Sequence, residues 1–295
     1  MIVVPLAGTS EPLGFPLSAA ATRALVRAAL DEDRAFDDVT TLATVPAESR
    51  GRAAIVARSA GVVAGLPLAI TAFETMSRDV GAHVASSDGE RVDAGGIVAE
   101  IEGPWRALLS AERVALNFLQ RLSGVATLTA RYVDAVRGTR AKIYDTRKTT
   151  PMLRALEKYA VRCGGGVNHR PDLADAVLIK DNHLAALGGD IALAVRRARD
   201  TGRPGICVEV ECDDVKQVDA ALAARADVIL LDNMSLETMR ACVAQVAGRV
   251  PLEASGGVTL DRVRAIAETG VDRISVGALT HSAQALDLGL DYLTS

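Results

Sequence analysis

From Arg140 onward, short apolar runs alternate with stretches of helical periodicity, and this rhythm restricts the fold more than any other feature of the chain. The strand-like runs lie at 141–144, 176–179, 206–210, 227–231, 251–254 and 273–276. Helix-like stretches separate them at about 151–163, 191–201, 214–225, 236–247 and 260–269. Strands linked through helices run parallel, and parallel sheets are covered on both faces, so the pattern predicts a barrel or an open doubly wound sheet. The barrel fits better, because nearly every run ends in a polar residue or a glycine, as chemistry gathered on one ring of strand ends requires.

The pattern before Arg140 is different. Residues 1–16, with Pro5, Pro12 and Pro16 and no periodicity, read as a loose arm. Leu25, Val26, Ala29 and Leu30 share one face of a predicted helix over 18–33, with Ser18 as its cap. Predicted strands at 52–58, 61–64, 83–86 and 97–102 and a helix at 66–76 make 17–122 an α+β sandwich domain. Helices are expected at 106–122 and 125–137, interrupted at Ser123-Gly124. The barrel domain then takes 123–281, and a last helix over 282–295 is expected to pack back on the first domain.

The net charge of −4 argues against bulk nucleic-acid binding, which needs a broad basic surface. No apolar run reaches the length of a membrane span, and Met1-Ile-Val-Val-Pro5 lacks the basic flank of a signal peptide, which points to a cytoplasmic protein. Cys163, Cys207, Cys212 and Cys242 have neither C-x-x-C nor zinc-site spacing and read as reduced core residues; a catalytic thiol at Cys163 is the alternative.

Cations cluster locally instead. Asp145-Thr-Arg-Lys148 follows the first barrel strand, and Thr149 or Thr150 before Pro151 reads as a helix cap, which puts Arg147 and Lys148 on a strand-to-helix loop. Such a pair alone is more often a solvated turn. Gly164 to Gly166 permit close approach to a ligand, and they deliver Asn168, His169 and Arg170, with Pro171 keeping Arg170 extended. Lys180 follows the run 176–179, where a lysine is costly without an anionic partner.

Acids and glycines complete the ring. Glu209 and Glu211 share one face of their strand, and Glu211 and Asp232 on adjacent strand ends suit Mg²⁺, with waters and a substrate phosphate filling its shell. The plainer reading is an ion pair with Lys180 or Arg147. Ser255-Gly-Gly257 and the Gly277 to His281 segment follow the last two strands, the usual phosphate site of such barrels. Arg147, Lys148, His169, Arg170 and Lys180 exceed what one phosphate needs, so a small ligand with carboxylates is implied.

Taken in order, Asp145-Thr-Arg-Lys-Thr149, Gly164-Gly-Gly-Val-Asn-His-Arg170, Lys180-Asp-Asn-His183, Glu209-Val-Glu211, Leu230-Leu-Asp-Asn233, Ser255-Gly-Gly257 and Val276-Gly-Ala-Leu-Thr-His281 resemble the quinolinate phosphoribosyltransferase family. The resemblance covers essentially the whole chain after the first residues. It implies an incomplete seven-stranded α/β barrel after an N-terminal α+β sandwich, and a homodimer, or a larger assembly of such dimers, whose sites borrow from the neighbouring subunit. It makes Arg113 the borrowed residue, which pattern alone reads as an ordinary surface arginine. It sets Arg113, Arg147, Lys148, His169, Arg170 and Lys180 around quinolinate, with Lys148 bridging toward phosphoribosyl pyrophosphate. Glu211 and Asp232 would face the ribose and Mg²⁺, while Ser255, Gly256, Gly257, Gly277 and His281 would hold the 5′-phosphate. Lys148, Lys180, Glu211 and Asp232 are the expected catalytic groups, and either Lys148 or His169 passes the proton to the ring carbon.

Two rival readings remain open on sequence. One is a Schiff-base aldolase on a phosphate-binding barrel with Lys180 as nucleophile. The other is a noncatalytic protein that binds an anionic metabolite.

Overall fold

A computed structural model describes residues 13–293, so residues 1–12 of the predicted arm lie outside the described range. The chain divides into two compact units. One takes in the described residues up to Leu128, Ala155–Gly165 and those from Ala283 onward; the other comprises Thr129–Arg154 and Gly166–Ser282. Among the described residues no helix is long and apolar enough to cross a membrane.

The first unit begins with α1 (Ala19–Glu32) and α2 (Val39–Thr44), followed by β1 (Arg50–Ala57), β2 (Gly61–Val62), α3 (Leu66–Met76), β3 (Gly81–Val84), β4 (Arg91–Val92), β5 (Ile97–Pro104) and most of α4 (Trp105–Ala135). Ser18 caps α1 by accepting from the Ala21 amide, as its sequence position indicates. β3 and β5 pair antiparallel across the turn-rich segment between them, and β1 pairs antiparallel with β5.

One expected break is absent. α4 runs unbroken for 31 residues through Ser123 and Gly124. Leu108, Ala111, Ala115, Leu119 and Leu122 form its buried stripe at steps of three and four, and burying each leucine is worth about 1.5–3 kcal/mol. The small residues serve packing rather than termination. Ser123 Oγ accepts from the Ala64 amide at 3.0 Å, and a Cβ on Gly124 would lie 2.0 Å from the Gln284 carbonyl oxygen.

The second unit carries β6 (Lys142–Tyr144), the start of α5 (Arg154–Cys163), β7 (Val177–Ile179), α6 (Asp181–Ala185), α7 (Ile191–Thr201), β8 (Val208–Cys212), α8 (Val215–Ala223), β9 (Val228–Asp232), α9 (Leu236–Val246), β10 (Leu252–Ser255), α10 (Val263–Ala267), β11 (Arg273–Ser275) and α11 (Ala278–His281). The six strands hydrogen-bond in the order β6-β11-β10-β9-β8-β7, all parallel. Val167 adds a single parallel bridge to Tyr144 beyond β6 without forming a strand of its own. Among the described residues no pairing joins that edge to β7, and the barrel is incomplete, as expected.

Two local expectations fail. α5 starts at Arg154 rather than after a Thr149 or Thr150 cap, because Met152 has φ +67°, a left-handed conformation that cannot continue a helix. The hydroxyl of Thr149 instead accepts from Arg154 Nε at 3.0 Å. Nor is the described part of 282–295 one helix: Leu288–Leu293 forms β12, which pairs antiparallel with β1 and completes the sheet order β12-β1-β5-β3. Leu286, Leu288 and Leu290 are buried at a spacing of two, the period of a strand.

Candidate active site

Side chains alternate along a strand, so each barrel strand sends residues two apart to the interior. Glu209 and Glu211 come from β8, Leu230 and Asp232 from β9, Glu253 and Ser255 from β10, and Arg273 and Ser275 from β11. Register puts Glu211, Leu230, Glu253 and Arg273 side by side in one row, with Asp232 beside Ser255 in the next. A cavity of about 780 Å³ opens at these strand ends.

The cationic wall is positioned from below. Asp145 is fully buried, and its carboxylate accepts from Asn168 Nδ2 at 2.7 Å and from the His169 amide at 2.8 Å. One carboxylate thus ties the end of β6 to the loop that bears His169 and Arg170. Lys148 is pinned at both backbone groups: its amide donates to Thr146 Oγ1 at 3.1 Å, and its carbonyl accepts from Thr280 Oγ1 at 2.7 Å. Arg170 donates through Nη1 to the Ala176 carbonyl at 2.8 Å.

Two arginines in this wall have no carboxylate paired with them among the described residues. Burial first, and then the like charge of Arg147, hold the Arg170 guanidinium below its ordinary value. Arg147 Nε is buried without a hydrogen-bond partner among the described residues. A planar anion that reached both arginines would relieve the repulsion and satisfy that donor.

The acids divide by depth. Glu211 is paired with the Lys180 ammonium, which supplies the anionic partner that the lysine needs. Asp232 accepts from Asn233 Nδ2 at 2.7 Å and lines the same cavity. Deeper in, His169 Nε2 lies 3.1 Å from Glu209 and 3.5 Å from Glu253, both of which are buried. Burial lowers the affinity of His169 for a proton, but the two carboxylates outweigh it and raise its pKa to about 10. Burial, then the neighbouring Glu253 charge, raises that of Glu209.

The contacts of the ring restrict where the extra proton sits. Nδ1 accepts from the Arg170 amide at 2.8 Å and so carries no hydrogen. The proton held by the cluster therefore lies between Nε2 and the glutamates, an arrangement with the same total charge as an imidazolium flanked by two carboxylates.

At the opposite rim, Ser255, Gly256, Gly257, Gly277 and His281 line the cavity. Gly256 has φ +90°, and a Cβ there would lie 2.2 Å from Asn233 Oδ1, so the turn after β10 closes only around glycine. Arg147, Lys148, His169, Arg170, Lys180, Glu211 and Asp232 line the cavity too. Arg113 does not. It is exposed on α4 and lines a different surface cavity with Asp37, Asp38 and Ser110. Cys163 is no nucleophile candidate, since burial pushes its thiol up to about 12.

The family model described as the N-terminal domain of quinolinate phosphoribosyl transferase matches residues 38–123, and that of the C-terminal domain matches 125–291. The chain belongs to this family. It is 47% identical over 279 residues to the nicotinate-nucleotide pyrophosphorylase [carboxylating] of Mycobacterium leprae, covering 92% of this chain and 97% of the relative. Identity to the probable enzyme of that name from Bacillus subtilis is 44% over 264 residues, covering 90% and 91%. Among solved structures, the nicotinate-nucleotide pyrophosphorylase of Francisella tularensis superposes with a TM-score of 0.88 at 38% identity, covering 94% of this chain and 98% of that one.

Family membership gives the cavity its context, and the structure adds residues that the sequence reading did not single out. Glu253 and Ser275 stand in ordinary apolar runs, and the only signal of their place is the strand alternation that aims them inward with Ser255 and Gly277. Asp145 was legible only as the start of a motif; its role as the anchor of the His169 loop needed the fold.

Proposed function

We infer that this chain joins quinolinate to phosphoribosyl pyrophosphate and releases pyrophosphate and CO₂, leaving nicotinate mononucleotide for NAD synthesis. Both domains match the family, and relatives that cover nine-tenths of the chain carry the carboxylating name. The observation that carries the reading is the pair Arg147 and Arg170, two neighbouring guanidiniums with an unpartnered buried donor, which fits a ligand with adjacent carboxylates.

In this reading Arg147, Lys148, His169, Arg170 and Lys180 orient quinolinate so that its ring nitrogen faces the ribose carbon. As pyrophosphate departs, positive charge grows on the ribose, and Glu211 and Asp232 stabilise it. Ser255, Gly256, Gly257, Gly277 and His281 hold the 5′-phosphate. Once ribosylated, the ring nitrogen is cationic and stabilises the electron pair left on the adjacent carbon when its carboxylate leaves as CO₂; that carbon then takes a proton from Lys148, since both His169 ring nitrogens are engaged.

Mg²⁺ fits the donors present: Glu211 and Asp232 offer carboxylate oxygens from adjacent strand ends, the hard ligands that Mg²⁺ prefers. When bound there it would supply charge to the leaving pyrophosphate. Arg113 would reach the quinolinate carboxylates of a second copy of this chain in a homodimer. A cytoplasmic location is part of this reading, because both substrates are polyanions that do not cross membranes unaided and would be met where they are made. An aldolase is disfavoured, because Lys180 is engaged in an ion pair with Glu211.

With Mg²⁺, quinolinate and phosphoribosyl pyrophosphate, purified protein is expected to release CO₂ and pyrophosphate in equal amounts. Turnover of nicotinate with quinolinate ignored would sink the dicarboxylate argument.

A further inference from the structure

The reaction as described leaves two buried acids without a task. Glu253 is fully buried and Glu209 nearly so, and a buried carboxylate is costly unless something compensates it. Ser275 Oγ donates to Glu253 Oε1, yet Glu253 Oε2 and Glu209 Oε1 are buried with no hydrogen-bond partner among the described residues. What the two acids share is His169: Glu209 Oε2 lies 3.1 Å and Glu253 Oε1 3.5 Å from its Nε2. A barrel that needed only filling would place apolar side chains here, as Leu178 and Leu230 do in the same interior.

We propose that Glu209 and Glu253 are positioning residues that lock the His169 imidazole in one orientation, and that the ring, through Nδ1, thereby fixes Arg170 toward the quinolinate carboxylates. The proposal rests on the functional reading given above. Its geometry is a chain of contacts. The two glutamates accept at Nε2, Nδ1 accepts from the Arg170 amide at 2.8 Å, and Arg170 is tied through Nη1 to the Ala176 carbonyl. Turning the ring over would set carbon atoms against both the glutamates and the Arg170 amide, so all three contacts fail together. Tyr144 meets the ring edge-on with centroids 6.4 Å apart, and Arg273 lies 5.2 Å over the Tyr144 ring, which closes the remaining side. The substrate then meets an arginine that is already oriented, which lowers the ordering cost of binding.

The test uses Glu209→Gln, Glu253→Gln and the double variant, which keep size but remove the charge-assisted acceptors. Wild-type protein with ¹⁵N-labelled histidine should show a slowly exchanging, downfield Nε2–H from His169, assigned by its absence in His169→Asn. In the double variant that signal should be lost. The KM for quinolinate should rise about ten- to a hundredfold, the range of one lost charge-assisted hydrogen bond, while the KM for phosphoribosyl pyrophosphate stays at the wild-type value. General damage to the barrel would raise both constants. Either the ring signal or the quinolinate KM left at its wild-type value in folded protein overturns the proposal. If the double variant does not fold, the single variants are judged by the same two measurements. Absence of quinolinate turnover in the wild type would instead overturn the functional reading, and the ring signal would still report whether the glutamates hold His169.

Discussion

Residues two apart on one strand have been given different work by depth alone. Glu211, at the mouth, meets Lys180 and the open cavity, whereas Glu209 lies under His169 where water does not reach. Charge that develops in a transition state is stabilised by groups near the reacting atoms, so Glu211 and Asp232 should act on turnover rather than on quinolinate binding. Glu211→Ala combined with Asp232→Ala is expected to lower kcat by about a hundredfold or more, with quinolinate affinity, measured by calorimetry, changed far less. Equal losses in both would move the two acids into the acid-substrate pocket. The strand-end groups were readable from sequence because an apolar run that stops at Lys180 or Asp232 marks the rim of a parallel sheet. Glu253 was not, since Pro251-Leu-Glu-Ala254 reads as an ordinary strand until its neighbours are known.

For whole elements, period was a better guide than punctuation. The barrel strands and α7 to α10 fall within a few residues of their predicted places because hydrophobic periodicity follows from burial, which the fold preserves. Ser123-Gly124 misled because small polar residues signal a break only where nothing packs on them. Here Ala64 hydrogen-bonds to Ser123, and the Gln284 backbone lies against Gly124. That contact yields a prediction in which two effects oppose each other. Alanine is favoured over glycine in a helix by about 1 kcal/mol, but its Cβ would meet a backbone oxygen that no side-chain rotation can move. Overpacking of this kind costs about 1–3 kcal/mol, so Gly124→Ala should lower the midpoint of urea unfolding. A variant as stable as the wild type would show that the 284–285 segment yields freely. The terminal strand differs from the expected helix for the opposite reason: Leu286, Leu288 and Leu290 repeat at two, the period of a strand.

At the scale of the molecule, Arg113 is the expected site residue that does not line the strand-end cavity. It lies on α4 in the unit that holds the antiparallel sheet, and it is exposed with Glu112 3.9 Å away. The residues that line the strand-end cavity all belong to the other unit. Nothing in its local pattern distinguishes it, which is why periodicity and spacing could not assign it. The family resemblance alone gives it a substrate carboxylate. An arginine that serves a site in a second copy would occupy such an exposed place in the single chain, with its guanidinium kept from strong internal pairing. If Arg113 completes the partner's site, Arg113→Ala and Arg170→Ala should each be nearly inactive, since each removes a planar bidentate partner of a carboxylate. Mixed under conditions that allow subunits to exchange, the two inactive proteins should regain activity. In a mixed dimer one site lacks both arginines and the other keeps both, so recovery approaches about a quarter of wild-type activity when exchange is random, half of the dimers being mixed and each of those having one intact site. Exchange can be followed independently by native mass spectrometry with one variant isotope-labelled. Demonstrated exchange without recovery would mean that Arg113 acts within its own chain or takes no part in the reaction.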